Sequence, residues 1–541
     1  MDRSGGQLIV AALEAQGLER VFCVPGESYL DLLDALRDSP IAVTVARAEG
    51  GAAMMAEAWG KMTGRPGVAL VTRGPGATNA ASGVHVAQQD ATPMVLMIGQ
   101  VARDMRGRDA FQEVDYQALF GGMAKWVAEI DRADRLPELL SRAWHVAMAG
   151  RPGPVVLSLP QDMLVERSAL APPRRVVVAE PGPSSADLDR LRDLLASAAR
   201  PAIVVGGSRW DPAASAALEE IATRWRIPVA TTFRRQSLID NAHACYAGEL
   251  TIGANPELLT LLREADLTVL IGDIMSEIPS QGYTLYGIPE PGTALVHVHP
   301  GAEEIGRVLA PTLGILASPG AFLAGWAALD APKLQAWAGR EDAAHDAYLR
   351  WSEPAMPDRM SRVMAGLNAR LARDAMVTNG AGNYAIWVQR FRRYPGPGSH
   401  LGPCSGSMGY GLPAAIAAKL RHPGRQVVCF AGDGCLQMTL QELATAAQER
   451  AAIRVIVADN RQYGTIRAHQ ARDYPGRQSA TGLTNPDFAA LARACGFAAW
   501  RVSADDEIGP ALDGALSADG PALVHVLTDP DQIAPGRRVA G

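Results

Sequence analysis

The chain has 541 residues, enough for about three domains of ordinary size. Hydrophobic residues make up 48% and charged residues 20%, a balance that excludes a chain disordered throughout. The net charge is −6 at pH 7, so composition gives no electrostatic reason to expect nucleic-acid binding. No stretch reaches the roughly 18 uninterrupted apolar residues of a membrane helix, so no membrane contact is expected.

The N-terminal segment and the cysteines bear on the cellular compartment. The first residues lack a basic region followed by an apolar core, so a signal peptide is not expected. The six cysteines are scattered, with no Cys-x-x-Cys pair that would indicate a zinc site or a disulfide framework. Reduced thiols and a cytoplasmic location are therefore predicted.

Short apolar runs recur along the whole chain, between segments with helical periodicity. They are continuous rather than alternating, which is typical of parallel strands buried on both faces. Their alternation with helices, for example at 50–62 and 436–448, predicts doubly wound α/β domains. The predicted strands lie at 68–72, 94–98, 155–159, 203–205, 267–271, 295–298, 426–430, 453–458 and 522–526.

Two segments without a clear helical period divide the chain into three blocks. Residues 171–185 are rich in proline, and residues 331–358 are polar and contain Pro354 and Pro357 near their end. We therefore expect an α/β fold with three doubly wound parallel-sheet domains. The expected domains cover residues 1–172, 186–335 and 355–541.

A Gly-Asp-Gly motif, Gly432 to Gly434, directly follows a predicted strand, and a second strand ends in Asp459-Asn460. One helix and one strand fill the interval from Asp433 to Asn460, so both residues are expected at the carboxyl edge of the sheet, where ligands collect. Carboxylate and amide oxygens suit Mg²⁺ or Ca²⁺, and glycines before a helix suit a phosphate. A strand-to-helix turn capped by Asp433 is the structural alternative, but the second residue after a second strand favours a ligand site.

At these residues the chain resembles thiamine diphosphate-dependent enzymes, whose signature is Gly-Asp-Gly followed one helix and one strand later by Asn-Asn. Asp459 stands where the first Asn is usual, and Asn460 keeps the second. The resemblance implies that thiamine diphosphate and Mg²⁺ are the cofactors. It implies metal ligation by Asp433, Asn460 and the backbone carbonyl of Gln462, and it places Gly432, Gly434 and Cys435 among the coenzyme-binding residues.

The resemblance extends over nearly the whole chain and is to the acetolactate synthase-like group. It implies a pyrimidine-binding domain, a central domain and a diphosphate-binding domain, in that order. It also implies a homodimer or homotetramer whose coenzyme lies between the first and third domains of different subunits. The matching segments are residues 21–27, 45–64, 71–80, 92–101, 109–115, 378–387, 405–419 and 485–496.

Further coenzyme-binding residues follow from this resemblance. Glu49 matches the glutamate that hydrogen-bonds N1′ of the aminopyrimidine, where a carboxyl favours the imino tautomer that acts as a base. A solvated charge at a helix start is the alternative for Glu49. Met408 matches the apolar residue that bends the coenzyme, against the alternative of a core methionine. The remaining implied residues are Gly74, Pro75 and Gly76 at the pyrimidine, Ala381, Gly382, Asn383 and Tyr384 at the diphosphate, and Gly406 at the amino group.

The substrate chamber is where the chain departs from the acetolactate synthase pattern. Phe111 and Gln112 match the Phe-Gln pair that lines this chamber. Glu27 follows a Pro-Gly turn where a small residue is usual; a proton-transfer role and a helix-terminal charge are both open to it. Glu49, Glu27, Gln112 and Phe111 are the candidate catalytic residues. The other departures are Ala48, Arg73 and His469, which stand where His, Ser and Trp are usual.

We expect a thiamine diphosphate-dependent carboligase that decarboxylates a small-molecule 2-oxoacid and adds the resulting enamine to a carbonyl acceptor. A 2-oxoacid decarboxylase, or a C–C lyase or hydrolase on the same scaffold, is the alternative. A non-catalytic protein that kept the fold is a third reading, disfavoured because Glu49, Asp433 and Asn460 are all present. FAD stays possible in the central domain, where residues 273–277 match the flavin-binding segment of the family poorly.

Overall fold

A computed structural model of the protein describes residues 2–332, 336–353 and 358–539. These residues form three α/β units, each built on a six-stranded sheet in which all strand pairs are parallel. The predicted fold class is confirmed. The predicted domain limits at 335 and 355 lie outside the described residues, and the exact boundaries stay predictions.

The first unit has two apolar cores, one on each face of its sheet. Neighbouring strand residues alternate between them, as Leu96 and Met97 do, because side chains of a strand point alternately to its two faces. Its strands are β1 (Arg3–Ser4), β2 (Arg20–Cys23), β3 (Ala42–Val45), β4 (Gly67–Val71), β5 (Met94–Gln100), β6 (Trp126–Glu129), β7 (Pro154–Pro160) and β8 (Arg167–Ser168). Its helices are α1 (Gly5–Ala15), α2 (Leu30–Arg37), α3 (Glu49–Thr63), α4 (Pro75–Gln89), α5 (Tyr116–Phe120), α6 (Leu136–Met148) and α7 (Gln161–Val165). The sheet order is β3-β2-β4-β5-β7-β6, and β1 pairs with β8.

The central unit has the sheet order of dinucleotide-binding folds, with the first strand in the middle. Its strands are β9 (Pro201–Val205), β10 (Val229–Thr231), β11 (Tyr246–Glu249), β12 (Leu267–Ile271), β13 (Ala294–His299) and β14 (Leu313–Leu316). Its helices are α8 (Ser185–Ser197), α9 (Pro212–Trp225), α10 (Pro256–Arg263), α11 (Pro319–Ala327) and α12 (Arg340–Trp351). The strands run in the order β11-β10-β9-β12-β13-β14.

The third unit repeats the strand order of the first. Its strands are β15 (Met376–Asn379), β16 (His400–Leu401), β17 (Val427–Gly432), β18 (Arg454–Asp459), β19 (Ala498–Val502) and β20 (Ala522–Leu527), followed by the hairpin β21 (Gln532–Ala534) and β22 (Arg537–Arg538). Its helices are α13 (Arg359–Asn368), α14 (Tyr384–Phe391), α15 (Gly411–Arg421), α16 (Asp433–Gln437), α17 (Glu442–Gln448), α18 (Gly464–Asp473), α19 (Phe488–Ala494) and α20 (Ile508–Ser517). The sheet order is β16-β15-β17-β18-β20-β19.

Two sequence expectations are wrong in detail. The single helix predicted at 436–448 is two helices, α16 and α17, because the turn between them packs on Gly409: the Thr439 hydroxyl donates to the Gly409 carbonyl at 2.7 Å. The segment 331–358, predicted as a linker, contains α12, whose Tyr348 packs edge-on against Tyr246 of β11 at 4.7 Å between ring centres. In both cases a tertiary contact overrides the local pattern.

The first and third units share an apolar core. Met54 and Ala58 of α3 lie in one cluster with Leu412 and Ala415 of α15. This contact places the start of α3, at Glu49, beside the third unit. No helix of the described residues is long and apolar enough to cross a membrane.

Candidate functional site

The Gly-Asp-Gly motif and Asn460 lie at one edge of the third sheet. β17 and β18 are parallel neighbours, with Gly432 opposite Ala458, so Asp433 and Asn460 follow the ends of adjacent strands. Asp433 is buried and is the first residue of α16, and Gly432 caps that helix. The predicted juxtaposition of the two motifs is confirmed, because a right-handed crossover returns the chain to the same sheet edge.

A cavity of about 1160 Å³ opens at this edge, between the third and central units. The predicted coenzyme and metal residues of the third domain all line it, so the structure brings this half of the predicted site together. These residues are Ala381, Gly382, Asn383, Tyr384, Gly406, Met408, Gly432, Asp433, Gly434, Cys435, Asn460 and Gln462.

At Gly406 the wall of the cavity leaves open space beside the backbone. Gly406 has φ of 66°, and a Cβ built on it would have no atom within 4 Å, so its backbone faces open space. Cys435 instead belongs to the wall: its Sγ accepts the Gly409 N–H at 3.2 Å and lies 3.3 Å from the Tyr384 hydroxyl. The Tyr384 hydroxyl also accepts the Gly380 N–H at 3.0 Å. Cys435 and the Tyr384 hydroxyl therefore hold the chain at Gly409 and Gly380 in place.

The candidate metal site offers oxygen donors. Asn460 Oδ1 accepts the Gln462 N–H at 3.2 Å, and the Gln462 carbonyl accepts the Gly464 N–H at 2.9 Å, so both oxygens are held in one turn. Both residues line the same cavity as Asp433. Burial raises the pKa of the Asp433 carboxyl to about 6, a shift that a bound cation would reverse. One carboxylate, one amide and one backbone carbonyl fit Mg²⁺. Within the described ranges, no three His, Cys, Asp or Glu side chains form a rival metal cluster.

Asp459, which stands where Asn is usual, is hydrogen-bonded to two residues whose role the sequence analysis did not predict. His525 Nε2 lies 2.8 Å from one oxygen of Asp459, and both residues are buried. The Asn485 side-chain amide donates to Asp459 at 2.8 Å and to Asp433 at 2.7 Å. Although burial opposes it, the hydrogen bonds from His525 and Asn485 lower the pKa of Asp459. The one signal in the sequence was a histidine inside the apolar run of β20.

Glu49 begins α3 in the first unit. The Asn79 side-chain amide donates to Glu49 Oε2 at 3.2 Å, and a Cβ on Gly76 would lie 3.4 Å from Glu49 Oε1. Glu49 is therefore next to the Gly74-Pro75-Gly76 turn, and the role of both at a pyrimidine stays a prediction. Glu49, Gly74, Pro75 and Gly76 do not line the third-unit cavity of the same chain.

A buried carboxylate joins the start of α3 to the third unit. Glu442 of α17 accepts the backbone N–H groups of Arg47, at 3.2 Å, and Ala48, at 3.0 Å. Burial raises the pKa of Glu442. Glu442 is the first residue of α17, and the positive end of that helix dipole favours the charged carboxylate. Sequence reasoning had no signal for this contact, which spans almost 400 residues.

The candidate substrate residues lie together on the first unit. The Arg73 guanidinium donates to Glu27 Oε1 at 3.1 Å and to the Phe111 carbonyl at 3.1 Å. A Cβ on Gly74 would lie 2.8 Å from the Cβ of Gln112, so these two residues are in close contact. Glu27, Phe111 and Gln112 are also absent from the third-unit cavity lining. Glu27 is the first residue of a short 3₁₀ helix, Glu27–Tyr29, so the helix-terminal role stays open for it.

The central unit does not fit FAD at the position where a dinucleotide is expected. The strand order reverses between β9 and β12, and the loops that follow these strands touch there: a Cβ on Gly207 would lie 1.6 Å from the Gly272 carbonyl oxygen. The Asp273 carboxylate accepts the Gly207 N–H at 3.1 Å, the Thr232 hydroxyl at 2.6 Å and two further loop amides. These loop donors, which could otherwise bind a diphosphate, are bonded to an anionic side chain of the chain itself.

Comparison with known proteins agrees with this architecture. Family profiles match in chain order: thiamine pyrophosphate enzyme, N-terminal TPP binding domain, at residues 3–119; central domain, at 188–325; and C-terminal TPP binding domain, at 380–526. The acetolactate synthase isozyme 2 large subunit of Escherichia coli (strain K12) is 31% identical over 97% of this chain and 96% of that protein. The probable acetolactate synthase large subunit of Methanocaldococcus jannaschii is 30% identical over 98% of this chain and 93% of that protein. The chain therefore belongs to the acetolactate synthase-like group of thiamine diphosphate-dependent enzymes, as its motifs predict.

Proposed function

We propose that the protein is a 2-oxoacid carboligase that uses thiamine diphosphate and Mg²⁺. The observation that carries this proposal is a cavity that Asp433, Asn460 and the turn at Ala381–Tyr384 all line. When bound, thiamine diphosphate supplies the carbon nucleophile and the electron sink for decarboxylation. The donor is a 2-oxoacid, and the acceptor carries a carbonyl group.

The residues of the chain have separate tasks in this proposal. Asp433, Asn460 and the Gln462 carbonyl would hold Mg²⁺, whose positive charge would offset the negative charge of the diphosphate. Glu49 holds a proton at the N1′ nitrogen of the pyrimidine and so favours the basic tautomer. Met408, half-buried on the cavity wall, supports the middle of the coenzyme.

We further propose a homodimer or homotetramer in which each site joins two chains. The support is the separation described above: the pyrimidine residues near Glu49 and the third-unit cavity do not meet within one chain. Phe111 and Ile466 are exposed apolar side chains on the two halves, and a second copy would cover them.

A cytoplasmic location belongs to the same proposal, supported by six cysteines that are all free thiols.

The test is a panel of 2-oxoacids, each offered with and without aldehyde and ketone acceptors, in the presence of thiamine diphosphate and Mg²⁺. Products are identified by mass spectrometry, and matched reactions with EDTA in place of Mg²⁺ are the control. A carboligase gives hydroxyketone or hydroxyacid products and little free aldehyde. Free aldehyde as the main product would replace this proposal with a decarboxylase, and no turnover of any 2-oxoacid would reject both.

A further inference from the structure

Arg73 joins two of the candidate substrate residues, Glu27 and Phe111, through one buried side chain. It lies between β4 and the Gly74 turn and is 8% exposed. Its Nη2 donates to Glu27 Oε1 at 3.1 Å, and its Nε donates to the Phe111 carbonyl at 3.1 Å. The planar guanidinium can make both contacts at once, in different directions, which a lysine ammonium on the same stem cannot do as well.

The segment around Phe111 depends on this support. Gln112 has φ of 64°, a left-handed conformation that is unfavourable for a residue with a side chain unless its surroundings hold it. A Cβ on Gly74 would lie 2.8 Å from both the Cβ and the carbonyl oxygen of Gln112, so the two turns interlock. The Tyr116 hydroxyl also accepts the Gly74 N–H at 3.0 Å, which further fixes the Gly74 turn.

The groups that Arg73 holds point outward, whereas Arg73 itself is beneath them. The side chain of Glu27 is 61% exposed, and Phe111 is 73% exposed. A surface ion pair of this kind contributes little stability, because water screens the exposed partner. Fixing an exposed carboxylate, and the backbone that carries an exposed phenyl ring, serves recognition better than it serves folding.

We propose that Arg73 is a positioning residue that holds Glu27 and the Phe111–Gln112 turn in one arrangement, and that this arrangement decides how the reaction divides between acceptor addition and aldehyde release. The second part rests on the proposed carboligase function. Aldehyde release needs a proton at the carbon that has lost CO₂, whereas ligation needs the acceptor carbonyl carbon in that place. The direction of a carboxyl group beside the acceptor therefore affects the two outcomes differently.

The experiment compares Arg73→Ala, Arg73→Lys, Glu27→Ala and the double variant Arg73→Ala/Glu27→Ala with the parent enzyme. Arg108→Ala is the matched control, since Arg108 is exposed and lies three residues before Phe111. Two quantities are measured: amide hydrogen exchange in peptides covering residues 107–116, and the ratio of ligated product to aldehyde at saturating donor.

We expect faster exchange in residues 107–116 for Arg73→Ala, a smaller effect for Arg73→Lys and no change for Arg108→Ala. The product ratio should shift by about ten-fold in Arg73→Ala and in Glu27→Ala, because a small misplacement of a group at the reacting centre changes the two competing rates unequally. The double variant should shift it little further, because the two residues act as one unit.

The proposal is overturned if Arg73→Ala matches Arg108→Ala in exchange and product ratio, or if the two single effects simply add. Should Arg73→Ala fail to fold, Arg73→Lys and Glu27→Ala carry the same comparison. If the parent enzyme converts no 2-oxoacid, the carboligase function fails instead, and hydrogen exchange alone decides whether Arg73 holds the turn.

Discussion

The carboxylate of Glu442 accepts the backbone N–H of Ala48 at 3.0 Å, so a buried side chain of the third domain caps α3, the helix of the first domain that begins at Glu49. Replacing Glu442 with Ala leaves the N–H groups of Ala48 and Arg47 without their acceptor. We expect a loss of about 1–3 kcal/mol in the free energy of unfolding, measured by urea denaturation. Glu138→Ala, which removes an exposed surface pair with Arg135, should change stability by less than about 1 kcal/mol. Equal effects in the two variants would show that this cap contributes nothing.

Glu49→Gln tests the proposed proton partner of the coenzyme. The side chain keeps its size and can still accept from Asn79, so folding and coenzyme affinity should stay close to those of the parent enzyme. Turnover should fall by about 10²–10⁴-fold, as for loss of a general acid–base group. Steady-state kinetics and calorimetric coenzyme titration on the same preparation measure the two quantities. Near-parental turnover would remove Glu49 from the mechanism.

Asp433→Ala tests the metal site. Without this carboxylate, Mg²⁺ has one charged ligand fewer, and the diphosphate loses its counter-charge. We expect coenzyme binding that depends on Mg²⁺ to be lost, as measured by calorimetry with and without EDTA. Asp473→Ala, which removes an exposed acid paired with Arg472, should bind as the parent protein does. Mg²⁺-dependent binding that persists in Asp433→Ala would place the metal elsewhere.

The buried carboxyl of Glu249 predicts a pH dependence of the protein's stability. Burial raises the pKa of this carboxyl to about 8 from an ordinary value of 4.5, so the folded state keeps the proton that the unfolded state releases. Its contribution to stability is therefore present below pH 4.5 and is lost as the pH rises toward 8. Glu249→Gln does not titrate, so its melting temperature relative to the parent protein should rise between pH 5 and pH 8. A difference that does not change with pH would contradict the assignment.

The contacts of Asp273 predict that the protein binds no flavin at the central switch point. Purified protein should show no absorbance near 450 nm and no saturable binding when titrated with FAD, because Asp273 already takes the Gly207 N–H. Titration with thiamine diphosphate in the same preparation is the positive control. Flavin present in a one-to-one ratio would show that the loop containing Asp273 rearranges to admit it.

Sequence by itself determined the class of the three domains and the third-domain half of the site. Continuous apolar runs identify parallel strands, and a strand–helix–strand unit returns the chain to the same sheet edge. For that reason Asp433 and Asn460 could be placed together, and the Ala381–Tyr384 turn could be placed with them through its motif. The first inference needs only local patterns and one crossover, whereas the placement of the turn rests on the resemblance to the family.

Tertiary structure alone decided which distant side chains meet. The contacts of Asp459 with His525, of Glu442 with Ala48 and of Arg73 with Phe111 join residues that no local period relates. The same cause divided the predicted helix 436–448 into two, at the turn where Thr439 bonds Gly409. Periodicity reports which face of an element is buried, whereas the partner of a polar group depends on how whole units pack, because a buried polar group must find its hydrogen bond wherever the packed chain supplies one.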